Sequence, residues 1–385
     1  MYKTKGLPNT RIEVADALRG IAVMGIILYH AVEHFNIGMG RASLSLPCDG
    51  TVFNILTVLL SGKMYGIFAL LFGLSFFIMR DNQAQKGKDF SLRFAWRMVL
   101  LFGFGIINMA FYNGDILTFY ALFGLLMIPA AYLSTPLLWG VTIFLLIQPI
   151  EIYSLLSGWE PDLSAMNKYY MALMKAGNDG TFWECAWASL KYGFPASLLW
   201  FIWKGRITQT LGLFYLGHLF GRHRLFYDEG NHLKIWRVVL AVSAVAVAAG
   251  SIFGTWSHGS VEFGALDSLL HPLYNLAILL LIVSGVVLLW YAFKGFRKGL
   301  SHICFFGRMS LTNYLMSSIF GCFVFYGWGL GLNNVLGTTW SLLVGIAIVV
   351  LQLVILYQWA RKHKRGPLET IWRKLTWIGS PESSK

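Results

Sequence analysis

Apolar stretches long enough to cross a bilayer recur from one end of this 385-residue chain to the other. That feature decides most of what the chain can fold into. As a helix, a run of about 18 to 20 apolar residues crosses roughly 30 Å of hydrocarbon. Lipid offers the backbone no water, so its polar groups must bond internally, in helices or in a closed barrel. Runs such as GIAVMGIILYHAV and SLLVGIAIVVLQLVILY are continuous rather than alternating, which selects helices over a barrel. Only 13% of residues are charged, about half the share usual in soluble domains. The expectation is an all-α polytopic integral membrane bundle.

Ten spans are read, near residues 14–33, 53–79, 98–112, 116–133, 137–157, 207–221, 236–254, 271–293, 303–326 and 338–360. The second is long and carries Gly62, Lys63 and Gly66, so a break or a strong tilt is expected there. The first run is not read as a cleaved leader. It holds Asp16 and Arg19 near its start and leads into many more spans.

Orientation follows from Lys and Arg. With the N-terminus inside, the inner segments hold Lys3, Lys5 and Arg11; Arg80, Lys86, Lys88, Arg93 and Arg97; Arg222, Arg224, Lys234 and Arg237; Lys294, Arg297 and Lys298; and a basic tail, 361–385. The outer segments hold fewer: Arg41, Lys168, Lys175, Lys191, Lys204 and Arg206, with Lys63 undecided. Basic residues concentrate on the cytoplasmic side, so both termini are expected in the cytoplasm. The net charge of +13 is assigned to this bias and not to nucleic-acid binding. Residues 158–206 form the largest outer segment. Its Trp-rich end, FWECAWASLKYGFPASLLWFIWKGR, suits an interfacial or re-entrant helix. The four cysteines match no metal spacing, so no metal is expected. Cys48 and Cys185 both fall in outer segments and could pair, and Cys304 and Cys322 read as packing residues.

Ionisable residues at membrane depth are costly and mark functional or structural ion pairs. Asp16 and Arg19 are three apart on one helical face, with Gly20 beside them. They are either an anchoring pair or the start of a site. His30 lies eleven residues beyond Arg19, on roughly the same face and about 16 Å along the axis. Glu33 and His34 follow it. An imidazole with a carboxylate nearby suits a general base, and a packed core histidine is the plainer reading. Asp115, after Tyr112-Asn113-Gly114, is either an N-cap or a carboxylate serving a site at that end, and Asn108 lies close enough to join it. Later candidates are His218, His271 (read at a helix start), His302 and Arg308. Arg308 lies in a helix made polar by Ser310, Thr312, Asn313, Ser317 and Ser318. No catalytic triad, phosphate loop or dinucleotide fingerprint is present.

The segments DALRGIA, NGDILTFYALFGLLMIP, GRMSLTNYLMSS and RGPLETIWRKLTW, in that order from residue 13 to about 376, resemble the YeiB-like family of bacterial membrane proteins. The first segment, with a His eleven residues after the Arg, also resembles the opening of the acyltransferase-3 membrane acylases. It is similar as well to the heparan-α-glucosaminide N-acetyltransferases. The resemblance implies a bacterial inner-membrane protein of a transmembrane acyltransferase superfamily. Its donor would be cytoplasmic acyl-CoA, acetyl-CoA foremost, and its acceptor a sugar or other hydroxyl or amine. By position, Arg19 and His30 match the acyltransferase-3 Arg and His, and Asp16 and Gly20 match the common motif. YeiB-like proteins often carry Asn where His30 stands and His where Asn108 stands.

On this reading Arg19, Arg97 and Arg308 meet the donor's phosphates, with Asp16 beside Arg19. His30 or His34 takes the acceptor's proton, Asp115 or Glu33 orients the imidazole, and Asn108 donates to the oxyanion. A transporter or flippase of a small amphipathic substrate is the first alternative, and a non-catalytic scaffold the second. A homodimer is left open.

Overall fold

The computed structural model describes residues 11–38, 42–159, 162, 164–227, 232–257 and 264–379. Lys3, Lys5, Arg41 and the end of the basic tail lie outside the described residues. All the regular elements described are helical. In chain order they are α1 (Glu13–Val32), α2 (Asp49–Leu59), α3 (Lys63–Ala84), α4 (Ser91–Met109), α5 (Leu117–Leu125), α6 (Met127–Ala130), α7 (Thr135–Leu146), α8 (Pro149–Ser157), α9 (Ser164–Asp179), α10 (Phe182–Ala188), α11 (Phe194–Trp203), α12 (Arg206–Arg222), α13 (Leu233–Ser257), α14 (Gly264–Ala292), α15 (Lys294–Ser301), α16 (Cys304–Arg308), α17 (Ser310–Phe325), α18 (Thr338–Ala360) and α19 (Pro367–Thr376).

Among the described residues, six helical stretches are long and apolar enough to cross a membrane: α1, the α2–α3 run, α4, α13, α14 and α18. The α7–α8 pair, bent by 48°, makes a seventh if it counts as one span. The other expected spans are short or interrupted. The 116–133 run is split into α5 and α6, α12 has 17 residues, and the 303–326 run is divided at Met309, whose backbone leaves the helical region. The α2–α3 run breaks at Gly62, whose φ of +75° suits a residue without Cβ. The α7–α8 bend falls at Gln148, also at positive φ, just before Pro149.

Three expectations about local structure are corrected. Arg93 and Arg97 lie on α4 and not in a loop, because the helix starts earlier, at Ser91. His271-Pro272 lies inside α14 and not at its start, since the helix begins at Gly264. Cys48 and Cys185 are both free thiols. Cys48 is exposed, whereas Cys185 is buried and donates to the Ala176 carbonyl.

Two close helix contacts centre the bundle. At α3–α12, a Cβ on Gly73 would strike the Phe214 carbonyl, and one on Gly217 would strike the Leu70 carbonyl. At α1–α16, a Cβ on Gly307 would strike the Asp16 carbonyl, and one on Gly20 would come 3.1 Å from the Ile303 carbonyl. Glycine at these points lets two backbones touch, which is how helices associate where no water drives them together. The result holds α1 in the interior, packed on α3, α16, α17 and α18. Outside, Val238, Val242 and Val245 of α13, and Leu343, Ile346, Val350 and Val354 of α18, are exposed at helical spacing. Apolar stripes of that length fit a lipid surface and not water.

A basic cavity at one end of the bundle

A cavity of about 990 Å³ opens at the end of the bundle where α1 begins and α3 ends. Its wall carries, among the described residues, the basic side chains Arg11, Arg19, Lys86, Arg97, Arg308, Lys364, Arg365 and Arg373 against a single carboxylate, Glu369. Phe68, Phe72, Phe90, Phe94, Tyr120, Tyr314 and Trp372 supply aromatic surface between the charges and deeper into the bundle.

Asp16 Oδ1 accepts from Arg19 Nη1 (3.1 Å), and Asp16 Oδ2 accepts from Arg11 Nε (2.9 Å). Arg19 Nη2 also donates to Ser75 Oγ of α3 (3.0 Å). The pair that spacing suggested therefore forms, and it holds Arg19 against the cavity wall. Arg97 lies flat over the Trp372 ring, 3.5 Å from its centroid, and reaches Thr376 Oγ1 at 3.4 Å. Its Nε is buried without a partner. Arg308 Nε is likewise buried and unsatisfied, and among the described residues no hydrogen bond or ion pair engages its guanidinium. A buried donor left unpaired costs about 1–3 kcal/mol, more when charged. Arg97 and Arg308 are thus the wall groups readiest for an anionic ligand.

The cavity is closed on one side by α19, within the segment expected as a basic tail. Its signal was visible in RGPLETIWRKLTW: Gly-Pro at a helix start, then apolar and basic residues on opposite faces. Glu369 fastens it by accepting from the N–H groups of Leu311 (2.7 Å) and Thr312 (3.0 Å) and from the Thr312 hydroxyl (2.6 Å). Burial pushes the Glu369 carboxyl up, and these donors pull it back. Trp372 Nε1 donates to the Arg97 carbonyl (3.2 Å), and Arg93 donates to the Thr376 carbonyl (2.9 Å). Lys364, Arg365, Glu369, Trp372 and Arg373 are the wall residues not foreseen.

The other candidates lie elsewhere. Asp115 is 1% exposed. It accepts from Asn108 Nδ2 (2.8 Å) and from the Thr118 N–H (2.9 Å), the latter as a cap on α5. It sits just behind the deep wall, where the Tyr314 hydroxyl accepts from the Ile116 N–H (3.3 Å). His30 does not line the cavity; its Nδ1 faces the Tyr112 hydroxyl (3.1 Å) and Glu33 (3.9 Å). His34 Nε2 lies 2.8 Å from Ser341 Oγ, its ring stacked on Phe325, and burial pushes its pKa down. The Tyr112–Ile116 segment therefore touches both groups, His30 through Tyr112 and Tyr314 through Ile116. His218 is buried among Phe76, Phe77 and Arg222, a packing position, and His302 is exposed.

Fold and site together define a class: an all-helical, membrane-type protein with a deep cationic cavity at one end of its bundle. Residues 220–379 match the model of the family described as "Protein of unknown function (DUF418)". The chain is 27% identical to the uncharacterized protein YxaH of Bacillus subtilis, over 97% of this chain and 96% of that protein. It is 25% identical to the uncharacterized protein YeiB of Escherichia coli, over 94% and 95%. An uncharacterized 39.9 kDa protein of Bacillus acidopullulyticus is 24% identical over 96% and 94%. No solved structure matches the chain.

Proposed function

We propose that this protein is a membrane-embedded acyltransferase that receives acyl-CoA, acetyl-CoA foremost, in the basic cavity. One observation carries the reading. Arg19, Arg97 and Arg308, far apart in sequence, converge on one cavity with a single carboxylate among the described residues, and two of them hold unsatisfied buried donors. Arginines of this kind suit phosphate oxygens, and the aromatic wall suits a flat base and an apolar chain. Transfer is then attack by a sugar hydroxyl, or another hydroxyl or amine, on the thioester carbonyl. The C–S bond breaks and the acceptor's proton passes to a base. His30 or His34 is the base, with Glu33 or Asp115 orienting it and Asn108 donating to the developing oxyanion.

The same reading places the protein in a bacterial inner membrane with ten crossings and both termini in the cytoplasm. The crossings are α1, α2–α3, α4, α5–α6, α7–α8, α12, α13, α14, α16–α17 and α18. Support comes from Arg11 and Arg373, near opposite ends of the chain, which line one cavity and so share one end of the bundle. An even number of crossings is required for that.

The test is acetyl-CoA binding to purified protein by calorimetry, followed by a transfer assay. Arg308→Gln and Arg97→Gln are each expected to weaken binding about tenfold or more, the cost of one charge-assisted contact. His30→Ala should keep donor binding and lose transfer. Wild-type turnover in His30→Ala removes that residue from the mechanism. Transport or flipping of an anionic amphiphile is a second reading, favoured by one feature: among the described residues, no histidine lines the cavity. Substrate flux in proteoliposomes free of acyl-CoA would support it.

A further inference from the structure

A second concentration of positive charge lies at the opposite end of α3 from the cavity. Lys63 is the first residue of α3 and Arg206 the first of α12, and each follows a glycine at positive φ, Gly62 and Gly205. The two starts meet. The Arg206 guanidinium packs against Gly62, and a Cβ there would lie 2.7 Å from Arg206 Nη2 and 3.1 Å from Asn275 Nδ2. Lys63 is only 3% exposed and Arg206 only 4%.

Neither cation has an ion-pair partner among the described residues. Lys63 Nζ donates to the Thr57 carbonyl at 3.3 Å. Arg206 Nη1 donates to Tyr65 Oη (3.0 Å) and Gln209 Oε1 (2.6 Å), while its Nε is buried and unsatisfied. The Glu151 carboxylate lies against Gly205 and forms no ion pair with either. Burying one unpaired cation is costly, and burying two together, at the positive ends of two helices of 22 and 17 residues, is more so. Such an arrangement persists when an anion completes it.

We propose that Lys63 and Arg206 form an anion site for a phosphate group, at the end of the bundle away from the basic cavity. Two cations and two helix starts, offset by Glu151, leave more positive charge than a carboxylate neutralises, and Arg with Lys is a donor set suited to phosphate. In the proposed orientation this end faces outward. The phosphate comes either from a lipid headgroup, held with its acyl chains along the bundle, or from a soluble phosphorylated molecule.

The full-length protein in nanodiscs distinguishes these sources. Inorganic phosphate binding is measured by calorimetry in zwitterionic phosphatidylcholine discs and in discs with phosphatidic acid. Because the basic cavity also binds phosphate, the measurement is made in wild type, in Arg308→Gln and in Lys63→Met. The proposal expects two classes of site in wild type and one in each variant, with Lys63→Met retaining acetyl-CoA binding. If phosphatidic acid abolishes the Lys63-dependent class, the lipid headgroup is the source; if that class survives, a soluble phosphate is. Phosphate binding by Lys63→Met identical to wild type in number and affinity overturns the proposal. Arg206→Gln serves as a second variant. Should both fail to fold, a structure of the wild-type protein soaked with tungstate decides: metal density beside Lys63 and Arg206 supports the site, and its absence there rejects it.

Discussion

Arg308 and His34 show what a single position contributes. Arg308 sits on the short helix α16, its guanidinium aimed into the cavity with no protein oxygen engaging it. An arginine kept this way costs stability without its ligand. Arg308→Leu is therefore expected to raise the melting temperature of the ligand-free protein while abolishing the rise that acetyl-CoA produces, both read by differential scanning fluorimetry. His34 is the converse case, a group kept neutral. Burial lowers its pKa below the ordinary 6.5, so the unfolded chain takes up its proton first as pH falls. The stability linked to His34 is thus full above about 6.5 and is lost as pH drops through the folded pKa. Denaturation midpoints should fall below pH 6.5 in wild type and flatten in His34→Gln, which keeps a polar contact to Ser341 without the titration.

At the scale of elements, α19 and the α3–α12 pair carry the argument. α19 is held by Glu369 at the start of α17 and by Trp372 on α4. Removing a carboxylate that accepts three hydrogen bonds should cost on the order of 2–4 kcal/mol of docking. Glu369→Ala is therefore expected to raise hydrogen–deuterium exchange across 367–376 and to weaken ligand binding, with the rest of the bundle unchanged. The α3–α12 contact has no slack, because Gly217 faces the Leu70 carbonyl directly. Gly217→Ala should force the helices apart at about 1–3 kcal/mol, seen as a lower melting temperature and poorer yield. Sequence periodicity found the long helices because lipid thickness sets their length. It missed the breaks at Gln148, which Pro149 follows, and at Met309, between Arg308 and Ser310, because neither position interrupts the length of its run.

For the whole molecule, one end of the bundle gathers the start of α1, the end of α3, the start of α4 and α19 around the basic cavity. In the proposed orientation, with the basic residues inside, that end faces the cytoplasm. Reporter fusions at both termini, active only in the cytoplasm, are expected to give signal together; signal from one terminus alone would require an odd number of crossings. The exposed valine and leucine stripes of α13 and α18 are then covered by lipid acyl chains.

The chain's own composition determined that it is helical, apolar and built for a bilayer, because the length of an apolar run and the sign bias of its flanks are local properties. It also marked Asp16 with Arg19, since residues three apart on a helix must share a face. Residue spacing could not determine that Arg19, Arg97 and Arg308 face one cavity, that α19 closes it, or that His30 lies outside its wall. Nor could it bring Lys63 and Arg206 together. Those are meetings between segments far apart in the chain, decided by which helices carry glycine where backbones touch, and only the packed bundle displays them.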